Sequence, residues 1–231
     1  NAAGSEPFGV VVILPSGTVI PLPSQSITPA RLQVLHNCAA TDAAEVDVWL
    51  NGTKLLPNFA FRTASPFIDA PAGVALEVAV TLPNATDTVG ALHQDVFVLG
   101  SSTGYSVIAS GVIGSGTYTP NEPFMLMPIT GTRETAITAG NVAIAVWHGA
   151  TDAPAVDVNE TKVGLGKLVD DIAYSQVQGY IDAPADDYNL EVTTADEQTI
   201  VGTYSADITS LADQAILILA SGFLDPSMNN Q

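Results

Sequence analysis

The groups with most chemical reach in this chain are imidazoles and carboxylates that occur twice. His36 ends an apolar run and precedes Thr41-Asp42-Ala43-Ala44-Glu45-Val46-Asp47-Val48. His148 ends another, before Thr151-Asp152-Ala153-Pro154-Ala155-Val156-Asp157-Val158. Asp42, Asp47, Asp152 and Asp157 are hard oxygen donors, and Ca²⁺ is the ion that suits them because it gathers several oxygens. A plainer reading competes. Asp47 and Asp157 alternate with Val, as solvent-facing strand residues do, and Asp42 and Asp152 stand where a side chain closes an Asx turn. The chain has no dense Asp-x-Asp-x-Asp-Gly loop, and each copy supplies one His, whose ring is expected to be held by hydrogen bonds at a strand end.

Catalysis has little to work with. There is no Gly-x-Ser-x-Gly elbow, no His-Glu-x-x-His and no glycine loop that would cradle a phosphate. The chain has three His and one Cys, so a nucleophile and base would have to meet without a motif; no enzyme and no cofactor are expected. Cys38 has no disulfide partner and reads as a small apolar filler. Asn51-Gly52-Thr53, Asn84-Ala85-Thr86 and Asn159-Glu160-Thr161 are glycosylation sequons, although Asn-Gly also makes a turn unaided.

The balance of 6 Lys+Arg against 24 Asp+Glu argues against nucleic acid or an anionic membrane as partner. Only 13% of the 231 residues are charged, and mean hydropathy is +0.30. No apolar run reaches the roughly 18–20 residues that span a bilayer, so no membrane insertion is expected. The apolar surplus belongs in dry cores or in contacts between subunits. The start at Asn1 without Met reads as a processed product, and the small, Lys-poor composition suggests a secreted prokaryotic protein.

Positioning these residues falls to strands. Val46–Leu50 and Leu76–Thr81 alternate with period two, and turn signals recur at Asn51-Gly52, Ala70-Pro71-Ala72-Gly73 and Ala183-Pro184. Strands are expected at Leu32–Leu35, Val46–Leu50, Leu76–Thr81, Asp95–Leu99, Ser106–Ala109 and Phe124–Pro128. The second set is Ala143–Trp147, Val156–Asn159, Tyr188–Thr193, Thr199–Tyr204 and Ala215–Ala220, with a helical turn near Asp207–Asp213. The class is all-β: two tandem antiparallel β-sandwiches behind an N-terminal strand arm. The bounds are an arm over 1–30, a first sandwich over 31–129, a linker over 130–141 and a second sandwich over 142–231.

An apolar strand ending in His, the Thr-x-Asp-Ala-Pro-Ala-Val-Asp-Val stretch, the Pro-Ala turns and a closing Ala-Ser-Gly together resemble the extracellular domain-of-unknown-function family 4397. His36 and His148, Asp42 and Asp152, and Asp47 and Asp157 fall on its motif positions. The second copy fits better, since the first has Ala44 where Pro is typical. The resemblance spans about residues 31–130 and 142–224. It implies secreted, often tandem, Ig-like sandwiches, and it brings no established activity with it.

The copies differ at their ends. After Ala109-Ser110-Gly111 the first continues to the apolar Phe124-Met125-Leu126-Met127-Pro128; after Ala220-Ser221-Gly222 the second has only Phe223–Gln231, with Pro226 and Asn229-Asn230 unsuited to a strand. The second copy thus lacks a closing strand. The arm Phe8–Leu22 holds spare strand material: Val10, Val11, Val12, Ile13 and Leu14, apolar on both faces, then Val19 and Ile20 after a Pro15-Ser16-Gly17 turn. Strand donation from this arm into a neighbouring copy would give a head-to-tail homopolymer, an extracellular filament or surface layer, whereas docking within the same chain would only close an edge in a monomer. The alternative is a cell-surface adhesion or glycan-binding module that does not polymerise.

Overall fold

A computed structural model describes residues 9–23, 28–113 and 118–229. Phe8, Asn230 and parts of the expected arm and first-copy extension lie outside these residues. The arm is a hairpin, β1 (Val11–Ile13) with β2 (Val19–Pro21). The first half follows with β3 (Ala30–His36), β4 (Glu45–Leu50), β5 (Thr53–Ala60), β6 (Ile68–Ala70), β7 (Ala75–Thr81), β8 (His93–Val98), β9 (Gly104–Ser110) and β10 (Met125–Thr130). The second has β11 (Asn141–His148), β12 (Val156–Glu160), β13 (Gly166–Ile172), β14 (Val177–Pro184), β15 (Asp187–Thr194), β16 (Ile200–Asp207) and β17 (Ala215–Ala220). The only helical elements among the described residues are single 3₁₀ turns, one of them Thr209–Leu211, inside the stretch where a turn is expected.

In the first half a β10-β9-β3-β6 sheet faces a β5-β4-β7-β8 sheet. In the second, β14-β11-β17 faces β13-β12-β15-β16. Neighbours are antiparallel except β3 with β9 and β11 with β17, which are parallel. Each sandwich encloses its own apolar cluster, one built on Leu32, Val46, Leu76 and Val107, the other on Val142, Val158, Tyr188 and Leu190. Asn51 and Gly52 join β4 to β5 with φ of 48° and 72°, the positive pair that a two-residue hairpin of matching twist demands.

The halves are stacked. Leu35 and Ile108 on the outer face of one sheet pack on Trp147 of the other, with Met127, Ile129, Leu217 and Leu219 around them. Four sheets therefore lie in layers. Asn37 donates from Nδ2 to the Gly149 carbonyl at 2.9 Å, and Arg31 donates from Nε to Glu134 at 2.7 Å while also bonding Asp69. The contact needs glycine at 149, because a Cβ there would come within 2.3 Å of Asn37 Nδ2 and 2.1 Å of the Trp147 ring. The expected linker runs against the second half: Ala215 N–H donates to Glu134 O and Ala136 N–H to Asp213 O.

Candidate functional site

The repeated residues turn out to hold the fold. His36 donates from Nε2 to Ala43 O at 2.8 Å and accepts from Cys38 N–H at Nδ1; His148 meets Pro154 O at 3.0 Å. Each ring ties its strand to the loop that follows, and burial pushes both imidazoles below their ordinary range.

Asp47 and Asp157 do not face solvent as the alternation suggests. They are 1% and 0% exposed. The reason is a β-bulge beside each. Asn58, at φ 48°, donates its N–H to Asp47 Oδ1 at 2.8 Å, and Lys54 Nζ reaches Oδ2 at 2.6 Å. In the second half Asp171, at φ 52°, and Lys167 treat Asp157 the same way at 2.7 and 2.8 Å. Asp157 is held below the usual carboxylate range by the Asp171 N–H and the Lys167 ammonium. For Asp47 burial pushes upward, but Lys54 and the Asn58 N–H outweigh it and the net direction is down.

Asp42 is exposed on a 3₁₀ turn. Asp152 closes no local turn; it accepts from Leu224 N, Asp225 N and Asn229 Nδ2 at 2.7–3.1 Å, which ties down the chain's tail. The four carboxylates proposed from sequence as Ca²⁺ donors thus serve four separate places. Among the described residues the acidic group compact enough for a cation is Asp157, Asp170 and Asp171, and the Lys167 ammonium already sits on the first two. Of the sequons, Asn51 and Asn84 are exposed, while Asn159 is half-buried within β12.

The feature with room for a partner lies elsewhere. In the first half β10 pairs along the outer edge of β9, and Phe124 just before it meets His93 of β8 edge-to-face at 5.7 Å. Those contacts shut the mouth between the two sheets. Among the described residues the second half has no strand in that place, and its mouth between β16 and β17 stands open. The result is a groove of about 890 Å³ that reaches the core, passing Ile144, Val158, Leu190, Tyr204, Ile216 and Ile218. A smaller cavity of about 430 Å³ lies on the other face of β17, between the halves, against Leu35, Phe67, Leu217 and Leu219. Arg62, Ile216, Leu219 and Ser221 line both, so the two spaces meet around β17.

Among the described residues no carboxylate lines either cavity, in a chain with 24 of them. The arm has the same character. Residues 9–23 carry no charge and are all exposed, from Leu14 at 39% to Ile13 at 69% among the large apolar ones. In this structure Val10, Val11, Val12, Ile13, Leu14, Val19 and Ile20 touch neither cavity. Contiguous apolar surface of that kind, left in water by an otherwise acidic chain, marks a contact surface.

A family model described as domain of unknown function (DUF4397) matches residues 30–159 in one span, more than half of the chain and reaching from β3 into β12. No curated protein matches the chain. Among solved structures, one on alpha-glucan recognition by family 41 carbohydrate-binding modules from streptococcal virulence factors aligns at 11% identity. It covers 87% of this chain and 99% of its own, with a TM-score of 0.27. Another, on alpha-glucan binding by a streptococcal virulence factor, aligns at 7% identity over 82% and 93%, with a TM-score of 0.26. Scores this low carry no argument about fold or ligand.

Proposed function

We propose that this chain, which belongs to the DUF4397 family, is a structural subunit of an extracellular filament or surface layer. Neighbouring copies are joined head-to-tail by the N-terminal arm of one in the open groove of the next. The observation that carries the reading is the unclosed mouth between β16 and β17, where the first half has β10. A sheet edge with a bare apolar groove is a standing template for another strand. The arm supplies the match, being uncharged and exposed throughout. The donor and acceptor surfaces are different parts of the chain, so the contact is heterologous and repeats without closing unless the rotation happens to close a ring.

The alternative is adhesion or glycan binding without polymerisation. The usual indole platform for a sugar face is not on offer, because Trp49 and Trp147 are 5% and 1% exposed.

Light scattering separates the two. The full chain is expected to form large assemblies as concentration rises, and a variant lacking residues 1–23 to stay monomeric. A full chain that remains monomeric at high concentration sinks the reading. A monomer that retains an alpha-glucan on an affinity gel favours the alternative.

A further inference from the structure

We infer that the arm docks as an intact hairpin, with the outer edge of β1 laid against β17 of another copy and β2 left as the new rim. The inference rests on the strand-donation reading and names the edge that pairs.

Backbone direction decides it. Ala143 N–H donates to Gln214 O and Gly149 N–H to Ala220 O. The even-numbered residues of β17 therefore turn their N–H and C=O groups toward β11, and the odd-numbered ones turn theirs to the open edge. Ala215 agrees, since its N–H goes outward to Glu134 O. That leaves the backbone of Leu217 and Leu219 for a newcomer, with Arg62 closing the far end on Ser221 O at 2.7 Å.

The hairpin offers a counterpart of the same length. Leu22 N–H donates to Val10 O and Leu14 N–H to Thr18 O, so even-numbered arm residues face one another across the hairpin. Val11 and Ile13 present their backbone groups on the outer edge of β1. On the outer edge of β2 stand Val19 and Pro21, followed by Pro23, and proline has no N–H to give. β1 therefore suits an interior place in the extended sheet, and β2 suits its rim, where proline blocks further pairing.

The side chains agree with the edges. A strand beside β17 has the 890 Å³ groove on one face and the 430 Å³ cavity on the other. It must be apolar on both faces, as Val10, Val12 and Leu14 on one side and Val11 and Ile13 on the other are. β2 suits that place less, because polar Thr18 adjoins it and Pro21 leaves its outer edge short of a donor.

Synthetic peptides of residues 9–23, added in excess to the full-length protein, test this by their power to stop assembly. The unmodified peptide is expected to inhibit. N-methylation at Val11 and Ile13, which leaves the hairpin's own hydrogen bonds intact, should raise the inhibitory concentration about 100-fold, taking two lost hydrogen bonds at roughly tenfold each. N-methylation at Val19 should change little. Loss of inhibition with the Val19 peptide, or none with the Val11/Ile13 peptide, overturns the docking mode while strand donation survives. An unmodified peptide that does not inhibit also overturns it. Assembly that persists without residues 1–23 overturns the earlier reading instead.

Discussion

The two halves of this chain arrange equivalent strands in the same order and differ by one. β9 and β17 both run parallel to a strand that ends in a buried His, with His36 opposite Ala109 and His148 opposite Ala220. Counting back from those pairs sets Val107 against Ile218. Val107 is 3% exposed where β10 pairs beside it, whereas Ile218 stays half-buried beside an open groove. A sandwich can thus keep its sheets and turns while one edge is left for something else to close. The shared His and Asp residues build the frame, and what is missing from the frame makes the site.

That contrast breaks most readily at the matched pair. Val107→Asp places a carboxylate in a closed core and should cost roughly 3–5 kcal/mol in urea unfolding. Ile218→Asp keeps its carboxylate within reach of water and should cost about 1 kcal/mol or less, yet abolish binding of the arm peptide. Equal costs at the two sites would mean that the second half is closed after all. A smaller effect is expected at the strand the second half lacks. Leu126, 5% exposed on β10, should lose about 2–4 kcal/mol on truncation to Ala, with hydrogen exchange quickening in β8, β9 and β10 ahead of β15 and β16.

The smallest effect sharpens the likeness between the halves. Burial depresses both imidazoles, so the unfolded chain takes up protons first as pH falls. The stability they lend is fully present above the ordinary imidazole range and is lost as pH drops through it, by at most about 1.4 kcal/mol per pH unit for each ring. His148→Gln should halve that slope in the pH 7 to 5 window. The carboxylates act lower. Asp47 and Asp157 are also depressed, so their contribution persists above the carboxylate range and fades only below it. A slope unchanged by His148→Gln would show that its ring is hydrated.

Sequence made the repeated frame legible where strands alternate cleanly, as in Val46–Leu50 and Leu76–Thr81. It also showed the absent closing strand, because β10 is a plain apolar run with no later counterpart. It failed at β5, β6, β13 and β14. β5 contains Pro57 and the left-handed Asn58, and β13 ends near the left-handed Asp171, so each slips register against its neighbour. A bulge shifts the period of two that betrays a strand. The burial of Asp47 and Asp157 was hidden for the same cause, since their partners lie on the bulged strands. In hindsight the signal is an Asp followed by a Lys and then a bulge residue, at 47, 54 and 58 and again at 157, 167 and 171. The open groove itself could be inferred from a missing segment, but not its second face, which depends on how the halves stack.

The parallel pairing of β17 with β11 has a mechanical consequence. A pull transmitted along β17 loads its hydrogen bonds to β11 side by side rather than one after another. Such a joint yields by sliding several bonds at once, which takes far more force than peeling them open. β17 is further braced by Leu217 and Leu219 against the first half. A thread assembled on this strand would be tough along its length and weak to a sideways tug at the arm.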